Sequence, residues 1–568
     1  MRHEHPGPAL AADGTRRARI VVLGGGFGGV YTALALEKLL EKRDDFEIAL
    51  VNRENYFVFQ PMLPEVISGT IGITDVVSPI RRLLPRTMLH LRDVEGIDLE
   101  RRRVPLSPGF RPHTDELEYD HLVLALGNVT DFRGLAGLPE HAMPFKNLGD
   151  ALALRNHVIR CLAEATIEAH DVELRRELLT FVVAGGGFSG VEVAAELNDF
   201  VRAVLPNYRG LRKEELRVVL LHSQERILPE MAEPLARFAQ RILTKRGVEL
   251  RLKTRLAAAT GTAAVLASGE RIMTRTLVST VPSSPHPLVE RLALPKAKGR
   301  VVTNAQLEIE GHPGVWAVGD CAQVMTPDGA TAPPTAQHAI REGSVVAHNI
   351  AASLRGGTRK VFAFKGLGKM GSLGHRSAVA EVFGIRLSGF LAWWLWRTIY
   401  LMKMPGWGRR LRVAVDWTLD LVLPPDLVQL RVGGSRGLAR EHFEPGQDVF
   451  RQGELGDRLY LILSGEVDVI REEAGENRVL ARLGPGQWFG EMAILHMTIR
   501  SASVRCVLPL DVLSLPREEF GVLAAHLPDL RQRFDALAAE RQASPAPGAP
   551  VAVPLGVARG EHAVAFRE

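Results

Sequence analysis

Residues 19–37 read Arg19-Ile-Val-Val-Leu-Gly24-Gly25-Gly26-Phe27-Gly28-Gly29-Val-Tyr-Thr-Ala-Leu-Ala-Leu-Glu37: a short apolar strand, a G-x-G-x-x-G turn and an amphipathic helix. Gly24, Gly26 and Gly29 permit a tight bend and bring the backbone close to a pyrophosphate. The helix N-terminus then aims unpaired N–H groups at that anion. Three glycines alone mark only a turn; the strand before them and the helix after them make a dinucleotide site. The unit returns at 180–197, Thr180-Phe-Val-Val-Ala-Gly185-Gly186-Gly187-Phe188-Ser189-Gly190-Val-Glu192-Val-Ala-Ala-Glu-Leu197, 161 residues on from Gly24 to Gly185. Two such units in one chain imply two nucleotide-binding modules. The economical pair is one flavin held permanently and one nicotinamide that exchanges.

The 568 residues suffice for three or four domains, and 46% apolar residues can bury a large core. A net charge of +5 over this length gives no argument for nucleic acid. Cys161, Cys321 and Cys506 form no C-x-x-C pair, which fits a reducing compartment and argues against a redox-active disulfide. Residues 1–17 are polar and hold no signal-peptide core, and no stretch reaches the roughly 20 apolar residues that span a bilayer. The expected location is cytoplasmic.

After the first helix, Phe46–Val51 reads as the second strand and ends at Asn52-Arg53, where an acid usually holds the ribose. Asn52 can still bond a hydroxyl without charge assistance. Asn55–Glu65 is a Pro-rich loop suited to lie beside a cofactor. Tyr119–Leu126 runs as a strand into Gly127-Asn128, and Gly314–Val318 runs into Gly319-Asp320.

These segments resemble the flavoproteins with two dinucleotide-binding domains, in which the nicotinamide module is inserted into the flavin module. Asn55–Glu65, the Ala-Leu-Gly127 turn, Gly319-Asp320-Cys321-Ala and Ala332-Pro-Pro-Thr-Ala-Gln337 narrow the resemblance to type II NADH dehydrogenases, single-subunit, non-pumping NADH:quinone oxidoreductases. It covers about residues 18–430. The resemblance implies that Gly24, Gly26 and Gly29 take the FAD pyrophosphate, Asn52 its ribose and Asp320 its ribityl chain. Arg53, Gly127 and Gly319 join this cofactor-binding set. Gln337 would lie against the isoalloxazine near the quinone. A second glutamine common in the family, one turn on, is here Arg341, which makes the acceptor pocket more polar. Cys321, without a partner cysteine, reads as a small buried residue.

In the second module Gly185, Gly187 and Gly190 take the NADH pyrophosphate. The resemblance puts Glu192 near the nicotinamide; the bare alternative is a favourable charge near a helix N-terminus. The second strand, Leu216–Leu221, ends in His222-Ser223-Gln224-Glu225-Arg226 where NAD-specific members carry an acid. The family favours NADH, and His222 keeps NADPH open. Hydride would pass from nicotinamide C4 to flavin N5 and electrons onward to a quinone. No Ser/His/Asp or metal-ligand set is evident.

Residues 389–423 stand apart in composition: five of seven tryptophans (Trp393, Trp394, Trp396, Trp407, Trp417) fall there, with Lys403, Arg409, Arg410 and Arg412 in an acid-free run. Indole rings favour the headgroup region and the cations suit anionic lipid, so the segment reads as an interfacial anchor on the cytoplasmic face of the membrane. A buried core helix or a homodimer contact is the alternative. Past a Gly/Ser linker, short strands punctuated by glycines suggest a small β-roll. Phe489-Gly490-Glu491 followed by Arg500-Ser501-Ala502 resembles the phosphate cassette of cyclic-nucleotide-binding domains, with Ile499 where proline is common. Gly490 would offer N–H groups to the cyclic phosphate, Arg500 charge and Glu491 an acceptor for the ribose 2′-hydroxyl of cAMP or cGMP; Ser501 does not separate the two.

The fold class expected is α/β, with two Rossmann-like domains, amphipathic anchoring helices and a β-roll. The layout is 1–17 disordered, 18–149 and 296–355 FAD-binding, 150–295 NAD(P)H-binding, 356–430 anchoring, 431–438 linker, 439–542 cyclic-nucleotide-binding and 543–568 disordered tail. Two other whole-chain readings are a reductase of a disulfide or protein carrier, which lacks its cysteine pair, and a nucleotide sensor with an inert oxidoreductase scaffold.

Overall fold

The computed structural model describes residues 16–107, 115–130, 132, 134–168, 170–280, 284–419, 426–430, 439–454, 456, 458–473, 476–492, 500–516 and 520. The 1–15 stretch, the 431–438 linker, cassette residues 493–499 and, apart from Phe520, everything from 517 onward lie outside the described residues. The chain divides into two compact units, one ending at Leu430 and one formed mainly from Arg431 onward.

In the first unit, two five-stranded parallel sheets share one plan. The first runs, edge to edge, Val315–Ala317, His121–Leu124, Ala18–Leu23, Phe46–Asn52, Met88–Leu91. The second runs Ala142–Pro144, Thr276–Ser279, Thr180–Ala184, Arg217–Leu221, Val248–Arg251. Each glycine turn follows the central strand of its sheet. Ile20–Leu23 and Phe181–Ala184 are buried, as strands covered on both faces require. The first sheet is completed by Val315–Ala317, paired with His121–Leu124 only after the second sheet has been built. One module is therefore threaded into the other.

The helix Phe27–Leu39 packs along Ala336–Arg355 through small residues: a side chain at Gly343 would collide with Thr32 Oγ1 and Gly28 O. This contact fixes the long helix, and Gln337 near its start, against the first turn. Beyond it, Gly368–Ser372, Ala378–Val382 and Ile385–Gly389 form an antiparallel meander that leads into helices Phe390–Lys403 and Trp407–Leu419. Among the described residues no helix is long and apolar enough to cross a membrane.

The second unit is a β-roll of two four-stranded sheets. Its core centres on Phe450, Tyr460 and Phe489, the last two stacked with ring centroids 5.0 Å apart.

Candidate functional site

The two glycine turns have matching geometry. At Gly24, φ is +108°, and a Cβ would sit 2.3 Å from Ala125 O; at Gly185, φ is +122°, and it would sit 2.4 Å from Thr280 Oγ1. These positions make the bend, which L side chains resist. At Gly29 and Gly190 a Cβ would lie 1.9 Å from Gly24 O and 1.8 Å from Gly185 O, so each helix presses on its own turn. At Gly26 and Gly187 a Cβ would meet nothing within 4 Å. That open space lies in front of each helix N-terminus, where a pyrophosphate needs to approach.

The residues closing the second strands also match. Asn52 Oδ1 accepts from Gly25 N at 2.8 Å, and His222 Nδ1 accepts from Gly186 N at 3.1 Å. Each side chain therefore pins its turn, a task that strand-end spacing alone did not disclose. Asn52 Nδ2 donates to Glu54 O at 2.8 Å. Arg53 projects into solvent and pairs with Asp93.

Polar groups converge at the C-terminal ends of the first sheet. Asn128 Nδ2 donates to Asp320 Oδ2 at 3.0 Å, and burial pushes the Asp320 carboxyl up while Lys146 and Arg300 pull it down. Lys146 Nζ is buried without a hydrogen bond, and burial lowers its ammonium to about 8 against the pull of Asp320 and Asp150. A desolvated cation with no partner is costly unless an anion or acceptor completes it. Gly127 has left-handed φ and open space at its Cβ, and Gly319 N donates to Glu342 Oε2 at 2.7 Å. Lys146 and Glu342 went unnoticed in the sequence, which carries no local signal for either. The open glycines and the unsatisfied lysine fit a flavin dinucleotide.

Gln337 is placed between the sheet ends and the meander. Its Nε2 donates to Gly368 O at 3.1 Å and its Oε1 accepts from Leu367 N at 3.0 Å, so the amide clamps that strand. Arg341, one turn on, lays its guanidinium 4.5 Å from the Phe364 ring centroid. Glu192 is buried, and its Oε1 accepts from Ser372 N at 3.0 Å. Burial pushes its carboxyl up to about 8, Glu65 adds repulsion, and the Ser372 N–H opposes both. Glu196, one turn along, accepts from Ser68 Oγ at 2.7 Å and is also raised by burial. Glu65 Oε2 accepts from Trp417 Nε1 at 2.8 Å, tying the last helix of the unit to this acidic layer.

The two-helix hairpin has one face in the core and one outside. Trp396, Val413 and Trp417 are buried, whereas Leu391, Trp394, Met402, Trp407 and Leu411 are exposed, Trp407 by 80%. Arg397 is spaced 4.3 Å and 4.5 Å from the ring centroids of Trp393 and Trp417 and so clamps one helix to the other.

In the β-roll, Gly490 has φ +89° and Glu491 is buried. Arg500 is 3% exposed, donating at 2.9 Å to Gly490 O and at 2.9 Å to Arg458 O, with its guanidinium 3.9 Å from the Phe450 centroid. Its charge is held directly behind the cassette glycine rather than out in solvent. Ser501 is exposed, and Ile499 lies outside the described residues.

Residues 18–343 match the family described as Pyridine nucleotide-disulphide oxidoreductase, the class that the doubled turn and the threaded sheets define. Residues 367–422 match the NDH2 C-terminal domain and 440–526 the Cyclic nucleotide-binding domain. A demethylphylloquinone reductase of Synechocystis sp. is 34% identical over 71% of this chain and 96% of its own length. A type II NADH:quinone oxidoreductase of Mycobacterium tuberculosis is 30% identical over 76% and 94%. The chain belongs to the type II NADH dehydrogenase family and carries an added cyclic nucleotide-binding domain. In fold it resembles NDH2 of Plasmodium falciparum, solved with NADH: TM-score 0.67, 18% identity, 73% of this chain and 100% of that one.

Proposed function

We propose that the chain is an FAD-dependent NAD(P)H:quinone oxidoreductase working on the cytoplasmic face of a membrane, with a cyclic nucleotide acting on its second unit. The observation that carries this reading is the repeated turn geometry, with open space at Gly26 and Gly187 and the unsatisfied Lys146 near Asp320. When bound, FAD supplies the ring that takes two electrons as hydride and gives them to a quinone.

The chain's own residues hold and position. Gly24–Gly29 present N–H groups to the FAD pyrophosphate, Lys146 offers a cation, and Asp320 accepts from sugar-chain hydroxyls. Gly185–Gly190 do the same for NAD(P)H. Gln337 fixes the Leu367–Gly368 strand against the flavin pocket. Glu192 holds its proton at neutral pH, because burial raises it to about 8. A neutral acid there adds no repulsion to the transferring electrons and keeps a proton close to Glu65, whose charge acts on Glu192.

The exposed Trp394, Trp407 and Leu411, with Arg410 and Arg412 nearby, suit a lipid surface, from which a lipophilic quinone would enter. A homodimer contact is the other use of this face, and it would show as a doubled mass in solution without lipid. Reduction of a disulfide is disfavoured by the thiols: all three cysteines are buried and unpaired, and Cys321 Sγ donates toward Leu124 O and Val318 O, 3.3 Å from each.

The test is steady-state turnover of the purified yellow protein with NADH and a panel of quinones, with and without cAMP or cGMP. Quinone-dependent oxidation that shifts with one cyclic nucleotide supports the reading. Turnover unaffected by a nucleotide that demonstrably binds rejects the regulatory half; no quinone reduction rejects the whole.

A further inference from the structure

We propose that Arg155 and Asn156 form an intramolecular docking site for residues 426–430, and that this strap carries the state of the cyclic nucleotide-binding unit to the helices that build the NAD(P)H site. The inference rests on the regulation proposed above and names its path through the oxidoreductase unit.

Arg155 lies on the helix Leu148–Ile167 and is 5% exposed. Its Nη1 donates to Ile67 O at 2.8 Å, and its Nη2 donates to Asp426 O. The guanidinium is 4.9 Å from the Phe200 ring centroid. Gly69, with φ +78°, ends the helix Leu63–Ser68, and a Cβ there would lie 3.0 Å from Nη1. One fork thus joins the helix Leu63–Ser68, the helix Phe188–Val204 and the chain at Asp426. Burial opposes the charge on Arg155, and the Asp426 carboxylate supports it. A desolvated guanidinium depends on filled acceptors, so lifting Asp426 away deprives this junction of a charge-assisted bond.

Asn156 holds the other end of the strap. Its Nδ2 donates to Leu430 O at 2.6 Å, and Leu430 N donates to its Oδ1 at 3.1 Å, so the side-chain amide binds the main chain as a strand edge would. In between, Val428 N donates to Asp426 Oδ1 at 2.9 Å, and Leu427 packs partly buried against the core. The side chains of Val428 and Leu430 are exposed. A few main-chain bonds hold the strap, with little burial, which is the kind of attachment that opens locally while the domain stays folded. Only eight residues separate Leu430 from Ala439, where the first strand of the β-roll begins. Along the chain, the strap is the first part of the oxidoreductase unit met from the β-roll.

The anchored end leads to the chemistry. Ile67 shares its short helix with Glu65 and Ser68, and Ser68 Oγ donates to Glu196 Oε2 at 2.7 Å. Glu196 and Phe200 lie on the helix that starts at the second glycine turn and carries Glu192 one turn earlier. Releasing the strap takes one acceptor from Arg155 and loosens its grip on Ile67 and Phe200. The acidic layer and the helix behind the second turn then shift together.

The experiment uses the flavin-loaded full chain as wild type, as Asn156→Ala with Leu427→Ala, and as Arg155→Lys, which replaces the two-armed fork by a point charge. Calorimetry gives the Kd for cAMP and cGMP. kcat/KM for NADH with a soluble quinone is measured with and without the nucleotide that binds, and hydrogen exchange is followed by mass spectrometry. In wild type, bound nucleotide changes kcat/KM by about fivefold or more and changes exchange at 426–430 and 63–69 together. In both variants flavin is retained, nucleotide Kd stays within about twofold of wild type, exchange at 63–69 rises without nucleotide, and the kinetic change falls to less than about twofold. A kinetic change undiminished in both variants overturns the proposal while the regulation stands. So does exchange that rises at 426–430 with 63–69 still protected as in wild type, which would make the strap a fastening only. Failure of cAMP and cGMP to bind, or binding that leaves wild-type kcat/KM unchanged, overturns the proposal and the regulation together, and quinone reduction by NADH then stands by itself.

Discussion

Gly190→Ala separates the two coenzyme modules. The new methyl would lie 1.8 Å from Gly185 O and 2.6 Å from Thr280 Oγ1, whereas side-chain carbons essentially never come within 3.0 Å of such atoms. The nearer obstacle is a main-chain carbonyl and cannot rotate aside, so the turn and the helix Phe188–Val204 have to separate by about 1 Å. A misplacement of that size at a positioned ligand costs up to about a hundredfold, or about 2.7 kcal/mol in binding. The first turn, built on Gly24–Gly29 in the other sheet, is untouched. The expected protein is yellow, retains flavin in equal proportion to wild type and binds NAD+ about a hundredfold more weakly by calorimetry. Wild-type affinity for NAD+ would refute the assignment of the second turn, and loss of flavin with retained NAD+ binding would refute the division of labour.

Three further outcomes follow from other parts of the molecule. Lys146→Met removes a buried cation near Asp320 whose Nζ makes no hydrogen bond, so flavin should dissociate about tenfold more readily on dialysis; wild-type retention should itself weaken as pH rises past about 8, where burial has placed that ammonium. Glu192 is raised by burial to about 8 from 4.5. Stability tied to its proton is complete below pH 4.5 and is lost as pH rises through about 8, with an upper limit of about 5 kcal/mol, so thermal unfolding of Glu192→Gln should gain on wild type at high pH and converge with it toward pH 5. Trp394→Asp with Trp407→Asp should release the protein from anionic vesicles in a sedimentation assay while leaving its flavin in place; binding at wild-type strength would assign the exposed hairpin face to another partner.

Much of the frame was legible because its signals are local. The glycine roles depend on three positions within six residues, and the structure gives each role the same physical cause twice. The apolar strand ending in Gly319-Asp320 was also readable, although only the paired sheet shows it lying beside His121–Leu124. What escaped the sequence depends on distant neighbours. Lys146 enters the candidate flavin site because the fold brings Asp320 to it, 174 positions away in the chain. Glu65 matters through Trp417, and Glu196 through Ser68, pairings that no periodicity announces. Strand-end residues Asn52 and His222 are read from the sequence as ribose contacts; their hold on Gly25 and Gly186 appears only once strand and turn are adjacent. Arg500 shows the reverse case: its motif predicts a phosphate contact, and packing against Phe450 gives it a second, structural task.

Electrons are expected to enter at the second turn, cross a flavin held at the first, and leave to a quinone. Anaerobic titration of the purified full chain tests it in one cuvette, following the visible flavin band through stepwise NADH or NADPH and then a soluble quinone. The expected protein is yellow, bleached by one equivalent of reduced pyridine nucleotide per flavin and recoloured by quinone. A colourless protein that takes up no added FAD, or a flavin that neither nucleotide bleaches, would contradict it.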